Sequence, residues 1–103
     1  MGQVEIANKM VDVTQEGYLT DPSQWDKDIA TAIAAELNIN LTDKHFEVIA
    51  FLREKHQAGE SLTIRKVGKS GIVDVKGLYQ LFPGGPLKYS SKIAGIPKPA
   101  SCV

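Results

Sequence analysis

Glycine and proline cut the second half of this chain into short pieces. Ala58-Gly59-Glu60 turns it, Gly68 and Gly71 bound one short segment, Phe82-Pro83-Gly84-Gly85-Pro86 makes a rigid turn, and Gly95 ends whatever helix precedes it. Beyond Gly95, Pro97 and Pro99 forbid helix and bias the backbone toward extended polyproline geometry. The chain therefore closes in an extended stretch whose penultimate residue, Cys102, is its only cysteine. Such an arm carries the thiol roughly 20 Å from Ile96, at about 3.1–3.3 Å per residue. A lone cysteine is commonly a small buried hydrophobe, but terminal residues are seldom buried unless they dock. The pattern reads as a thiol on a tether, suited to thiolate chemistry.

The 103 residues suffice for one domain with a modest core. No apolar run approaches the roughly 18 residues that span a bilayer, and no signal-peptide core precedes the first polar residues, so a cytoplasmic protein without membrane partners is expected. One cysteine and two histidines are too few for a zinc site, so neither metal nor cofactor is expected. The net charge of zero hides an asymmetry: residues 1–52 carry −6 and residues 53–103 carry +6. Either the C-terminal half offers a basic surface, or the two halves attract each other in the fold.

Val4-Glu5-Ile6 and Val11-Asp12-Val13 alternate with period two around Asn8, which tolerates positive φ, and so predict a hairpin; Gly17-Tyr18-Leu19 adds a short third strand. Asp21-Pro22 is a helix start, followed by Trp25, Ile29, Ile33 and Leu37 on one stripe, with Asp26 and Asp28 in the first turn. Asn38-Ile39-Asn40 breaks that pattern. Thr42 caps a second helix reaching about His56, apolar around enough of its circumference to lie centrally. His45 and His56 read as ordinary surface or half-buried histidines. Ser61 or Thr63 caps a short helix through Val67, Val73 to Phe82 forms another, and Leu87 to Ala94 forms the last, with Lys88 and Lys92 on one face. The corner between the two short helices has the outline of a helix-turn-helix, in which Arg65, Lys66, Lys69 and Lys76 would contact phosphates.

The segment from Leu78 to Lys88, with its Tyr79-x-Leu81-Phe82-Pro83-x-Gly85-Pro86-x-Lys88 pattern, and the ending Ala94-Gly95-x-Pro97-Lys98-Pro99-x-x-Cys102-Val103 resemble the DsrC/TusE family. So do Glu16-Gly17-Tyr18-Leu19 with Trp25, Phe51-Leu52-Arg53-Glu54, and Ile64-Arg65 with Lys69. The resemblance covers nearly the whole chain. It implies an α+β, mostly helical fold: a small N-terminal antiparallel β-meander on about five helices, with a globular body at 1–92 and a mobile C-terminal arm at 93–103. It implies that Cys102 carries sulfur as a persulfide in a cytoplasmic sulfur relay, serving tRNA 2-thiolation or sulfur oxidation, with no independent turnover. The alternative it offers is a partner or regulator of a dissimilatory sulfite reductase-type complex. Two-cysteine members of the family hold a second thiol eleven residues before the penultimate one, where this chain has Ser91. A serine forms neither a disulfide nor a trisulfide, so a single-cysteine carrier is the better match. Between Lys69 and Tyr79 the chain is shorter than many members, and His45-Phe46 replaces a common His-Trp.

The expected partners are sulfur-donor and sulfur-acceptor proteins of Tus or Dsr type, or a sulfite reductase, with the free chain monomeric. Gly95, Pro97 and Pro99 serve as hinge and stiffening of the arm, which limits the entropy lost on docking. The Val103 carboxylate opposes a thiolate at Cys102, so a compensating cation is expected. Lys98 on the arm and Arg65, Lys88 or Lys92 on the body are candidates, with Arg65 and Lys88 at family motif positions.

Overall fold

A computed structural model describes residues 2–98. Strands β1 (Gly2–Ile6) and β2 (Lys9–Val13) form an antiparallel hairpin in which Val4 faces Val11 and Ile6 faces Lys9. Its two-residue turn places Ala7 and Asn8 at φ of 53° and 66°, the paired left-handed geometry that matches strand twist. Val11 and Val13 are buried while Asp12 between them points away. The expected third strand reduces to a single bridge between Val13 and Leu19. Leu19 nevertheless packs fully into the core.

The Asp21-Pro22 signal caps a single 3-10 turn, Pro22–Gln24, rather than the long helix expected there. The Ser23 hydroxyl and N–H both donate to Asp21, which holds its carboxyl below the ordinary value. Trp25 is extended, and Asp26, expected inside the first turn, is instead the N-cap of α1 (Lys27–Glu36), accepting from the Ile29 N–H at 2.9 Å. Ile29, Ala30, Ile33 and Ala34 bury one face of α1. Asn38, at φ 60°, closes this helix: its N–H and that of Ile39 bond back to Ala35 and Ala34, the two-bond Schellman ending.

Helix α2 (Asp43–Gln57) buries His45, Val48, Ile49 and Leu52 and packs on α5 (Pro86–Ile93), which also meets α1 and α4 (Val75–Leu81). Helix α3 (Ile64–Gly68) is capped by Thr63 and packs on α4, itself capped by Asp74. His45 is buried rather than superficial. Its Nδ1 accepts from the Thr42 N–H at 3.0 Å and its Nε2 lies 2.8 Å from the Leu81 carbonyl. A backbone N–H only donates and a carbonyl only accepts, so the ring is the Nε2–H tautomer. It staples the start of α2 to the end of α4, with Phe82 edge-on at 5.1 Å. No helix among the described residues is long and apolar enough to cross a membrane.

The charge asymmetry is only weakly internal. Of the ion pairs among the described residues, Lys9–Asp26, Lys44–Glu47, Lys55–Glu60 and Lys66–Glu60 each stay within one half, and Lys98–Glu16 alone joins the two. Much of the positive charge of the second half therefore faces solvent.

Candidate functional site

The C-terminal residues follow the end of α5, and that end is tightly held. Gly95 takes φ 71°, its N–H bonds to the Lys92 carbonyl, and the Ile96 N–H bonds to the Ser91 carbonyl at 3.2 Å. This is the same Schellman ending as on α1, and it turns the chain so that Ile93, Ala94 and Ile96 all point into the core. A side chain at Gly95 has no room: a Cβ there would lie 2.4 Å from Cδ1 of Trp25. Glycine is required twice over, once for the backbone angle and once for the indole laid against it.

Trp25 reaches this position because it sits in the break before α1. Its indole N–H donates to the Ile93 carbonyl at 2.8 Å. Over its ring face, at 4.2 Å, lies the guanidinium of Arg53 from α2. Arg53 donates to the Ala94 carbonyl at 2.8 Å and to the Pro22 carbonyl at 3.1 Å. One planar fork thus joins the 3-10 turn, α2 and the end of α5. Burial pushes the Arg53 pKa down from its ordinary value, yet a guanidinium stays charged through the neutral range. The clamp fixes three consecutive residues, Ile93 to Gly95, at the foot of the arm.

Beyond the clamp, Lys98 pairs with Glu16 at 2.9 Å and 3.3 Å, and Pro97 and Lys98 roof a small pocket above His56, Glu60 and Leu62. Pro99 and Cys102 lie outside the described residues. Lys88 lines a separate hollow with Glu16, Tyr18, Tyr89 and Lys92. The Tyr18 hydroxyl donates to the Lys88 carbonyl at 3.3 Å. Glu16 therefore brings Lys98 and Lys88 into one neighbourhood. Arg65 is not part of it: it lines a cleft beside α3 with Lys55, Lys66 and Lys69. Lys76 lies on α4 and does not line that cleft, so the four cations of the helix-turn-helix reading do not form a single lining. Among the described residues, no group of three His, Cys, Asp or Glu side chains could hold a metal ion.

Ser91 is fully buried on α5, and among the described residues nothing hydrogen-bonds its hydroxyl. An unpaired buried hydroxyl costs stability, about 1 kcal/mol or more. Ser91→Ala is expected to raise the urea midpoint at an unchanged m-value, by about 1 kcal/mol of unfolding free energy. A fall in the midpoint would mean that the hydroxyl has a partner that stabilises the fold.

Sequence reasoning missed the clamp. The sequence marks Arg53 only through the Phe51-Leu52-Arg53-Glu54 motif, because its acceptors are backbone carbonyls 31 and 41 residues away. Carbonyls leave no trace in side-chain patterns. Trp25 carried a signal that pointed elsewhere, its four-residue spacing from Ile29.

The architecture that frames the site is a hairpin on five helices, the last of which ends in the clamped terminus. A family profile described as DsrC like protein matches residues 5–103. Sulfurtransferase TusE of Salmonella typhimurium is 41% identical over 103 residues, covering 92% of this chain and 94% of the relative. Sulfurtransferase TusE of Escherichia coli is 39% identical over the same shares. Among solved structures, that of DsrC from Allochromatium vinosum superposes with a TM-score of 0.80 at 35% identity, covering 98% of this chain and 97% of the other. A chain of the dissimilatory sulfite reductase I crystal structure gives a TM-score of 0.86 at 31% identity, with 99% and 100% covered. The chain belongs to the DsrC family.

Proposed function

We propose that this protein is a sulfur carrier in which Cys102 accepts and passes on sulfur as a persulfide. The observation that carries the proposal is the clamped root. Ile96 is buried and Cys102 follows six residues later in the sequence, a separation that lets the thiol reach up to roughly 20 Å from a fixed point. The packing described above runs through Ile96, which makes Ile96 the last buried residue before Pro97 and Lys98. The family match extends over this stretch to residue 103, and the relatives named sulfurtransferases support the relay role.

The chemistry is a pair of exchanges. The Cys102 thiolate attacks the outer sulfur of a donor persulfide; the new S–S bond forms at Cys102 as the donor's breaks, and the donor leaves as a thiolate. An acceptor nucleophile then attacks the outer sulfur of Cys102, which departs as thiolate. The sulfane sulfur is transferred without net oxidation, so no redox cofactor enters. Lys98, which pairs with Glu16, and Lys88, which lines the neighbouring hollow with Glu16, are the cations best placed to favour the thiolate near the arm's root; Arg65 lies in a separate cleft. The donor and acceptor are cytoplasmic proteins of Tus or Dsr type.

When the reduced chain meets a desulfurase charged with radiolabelled sulfur, label is expected to move onto the chain and to be released by reductant. Prior alkylation of the chain should block the transfer. Label that stays on the desulfurase, or that transfers to alkylated chain, would overturn the proposal.

A second reading is favoured by the TM-score of 0.86 to the sulfite reductase I chain: a partner of a sulfite reductase-type complex, docking through the same arm. Ser91 removes the second thiol that a disulfide or trisulfide would need, so this reading is regulatory rather than redox.

A further inference from the structure

The cleft beside α3, about 490 Å³ in volume, is built from Phe51 and Lys55 of α2, Glu60 of the following turn, and Arg65, Lys66 and Lys69. Its charges divide into two sets. Glu60 pairs with Lys55 at 3.4 Å and with Lys66 at 3.6 Å, and Lys66 also donates to the Ser61 carbonyl at 2.6 Å. That set is satisfied internally and braces the cleft. Arg65 and Lys69 stand one helical turn apart, both exposed, and among the described residues neither side chain has a charged or hydrogen-bonded partner. The half-buried Phe51 ring, with the Lys55 ammonium 5.7 Å from its centroid, forms an apolar wall beside them.

Two spare cations next to an aromatic wall match a small number of carboxylates flanking an apolar side chain. They match a nucleic-acid backbone poorly. A run of phosphates would have to pass Glu60, which lies among the cations, and the chain as a whole carries no net positive charge to attract a polyanion. Position adds to the argument. Glu60 lines both this cleft and the small pocket beneath Ile96, Pro97 and Lys98. A protein seated in the cleft would adjoin the root from which Cys102 departs, within the roughly 20 Å that the extended stretch can span.

We propose that this cleft is the docking surface for an acidic segment of the relay partner, an extended stretch with carboxylates on either side of an apolar or aromatic residue. The inference rests on the carrier reading and gives the partner's recognition chemistry. Docking would hold the partner's reacting sulfur beside the arm, and the two free cations would set its register through charge-assisted hydrogen bonds.

The test is an NMR titration of the isotope-labelled full chain with the blocked peptide acetyl-Glu-Glu-Phe-Glu-Glu-amide. The same peptide with every glutamate replaced by lysine, and an oligouridylate, serve as comparisons. Amide shifts are expected around Phe51, Lys55, Arg65 and Lys69 with the acidic peptide alone. Affinity should fall about tenfold in the Arg65→Gln, Lys69→Gln double variant, from two charge pairs, and should fall with added salt. Both substitutions are at exposed positions, and an unchanged spectrum of core residues confirms the fold. Shifts elsewhere, equal response to the lysine peptide, or an unchanged affinity in the double variant would overturn the inference. Tighter binding of the oligouridylate at these residues would overturn it in favour of nucleic acid. Sulfur loading of the unmodified chain, measured on the same preparation, separates the two claims. Loading without peptide binding overturns the docking surface alone, whereas failure to load overturns the carrier reading and the partner's role with it.

Discussion

Gly95→Ala is expected to be the most damaging of the glycine-to-alanine substitutions among the described residues. The left-handed backbone at Gly95, φ 71°, costs a residue with a Cβ about 1–2 kcal/mol. The new methyl would also meet Trp25 Cδ1 at 2.4 Å, Cγ at 2.7 Å and Cβ at 2.8 Å, and overpacking of this kind costs about 1–3 kcal/mol more. The sum, about 2–5 kcal/mol, lowers the melting temperature of a domain this size by about 10 °C or more. Trp25 is the only tryptophan, so its fluorescence reports the displacement directly. The folded variant should show a shifted emission maximum as well as a lower midpoint. A variant within about 0.5 kcal/mol of the parent, with unchanged emission, would show that the indole does not lie against Gly95.

Arg53→Ala is the second large effect. It removes two charge-assisted hydrogen bonds, to Ala94 and Pro22, and the cation over Trp25. The Pro22 carbonyl keeps the Trp25 N–H at 3.3 Å, whereas the carbonyl of the buried Ala94 loses its donor. Hydrogen bonds to a charged group contribute about 1.5–3 kcal/mol, and a partly desolvated cation over an indole about 1 kcal/mol. Because one side chain makes all three contacts they do not add, and a loss of about 2–4 kcal/mol is expected. Arg53→Lys retains the charge but lacks the fork that reaches two carbonyls at once, so it should recover less than half of the loss. A merely destabilised protein opens globally. A released root opens locally: amide exchange at Ala94, Gly95 and Ile96 should accelerate more than exchange in the core of α2. Equal acceleration at both places would argue that Arg53 supports the body and not the root.

Local signals in the sequence were accurate wherever neighbouring residues decide the outcome. Asn8 marks the hairpin turn, Thr42 and Thr63 stand at helix starts, Pro86 opens α5 and Gly95 closes it, while the helix expected from Val73 begins at Val75 behind an Asp74 cap. The family pattern at residues 78–88 and at the chain's end led to the correct family. The start of α1 was misplaced because Asp21 and Asp26 are both good caps five residues apart. Both are used, Asp21 on the 3-10 turn and Asp26 on α1, and the extended Trp25 between them bonds to Ile93, 68 residues away. His45 was placed too near the surface for a related reason: its second partner, the Leu81 carbonyl, is 36 residues distant. Among the candidate cations, Arg65 and Lys88 share the standing of motif positions, but folding puts them in different hollows, and Lys88 instead lines one with Glu16, the partner of Lys98. Charges on separate elements meet only through tertiary packing, which spacing along the chain does not encode.

The central claim is that Cys102 carries sulfur, and intact mass tests it most directly. Reduced protein is incubated with a small sulfane-sulfur donor, beside the Cys102→Ser variant, and both are weighed before and after reductant. The account predicts a gain of one sulfur atom on the parent chain, reversed by reductant and absent from a variant whose spectrum shows the same fold. A parent chain that gains no sulfur, or a variant that gains as much as the parent, would contradict it.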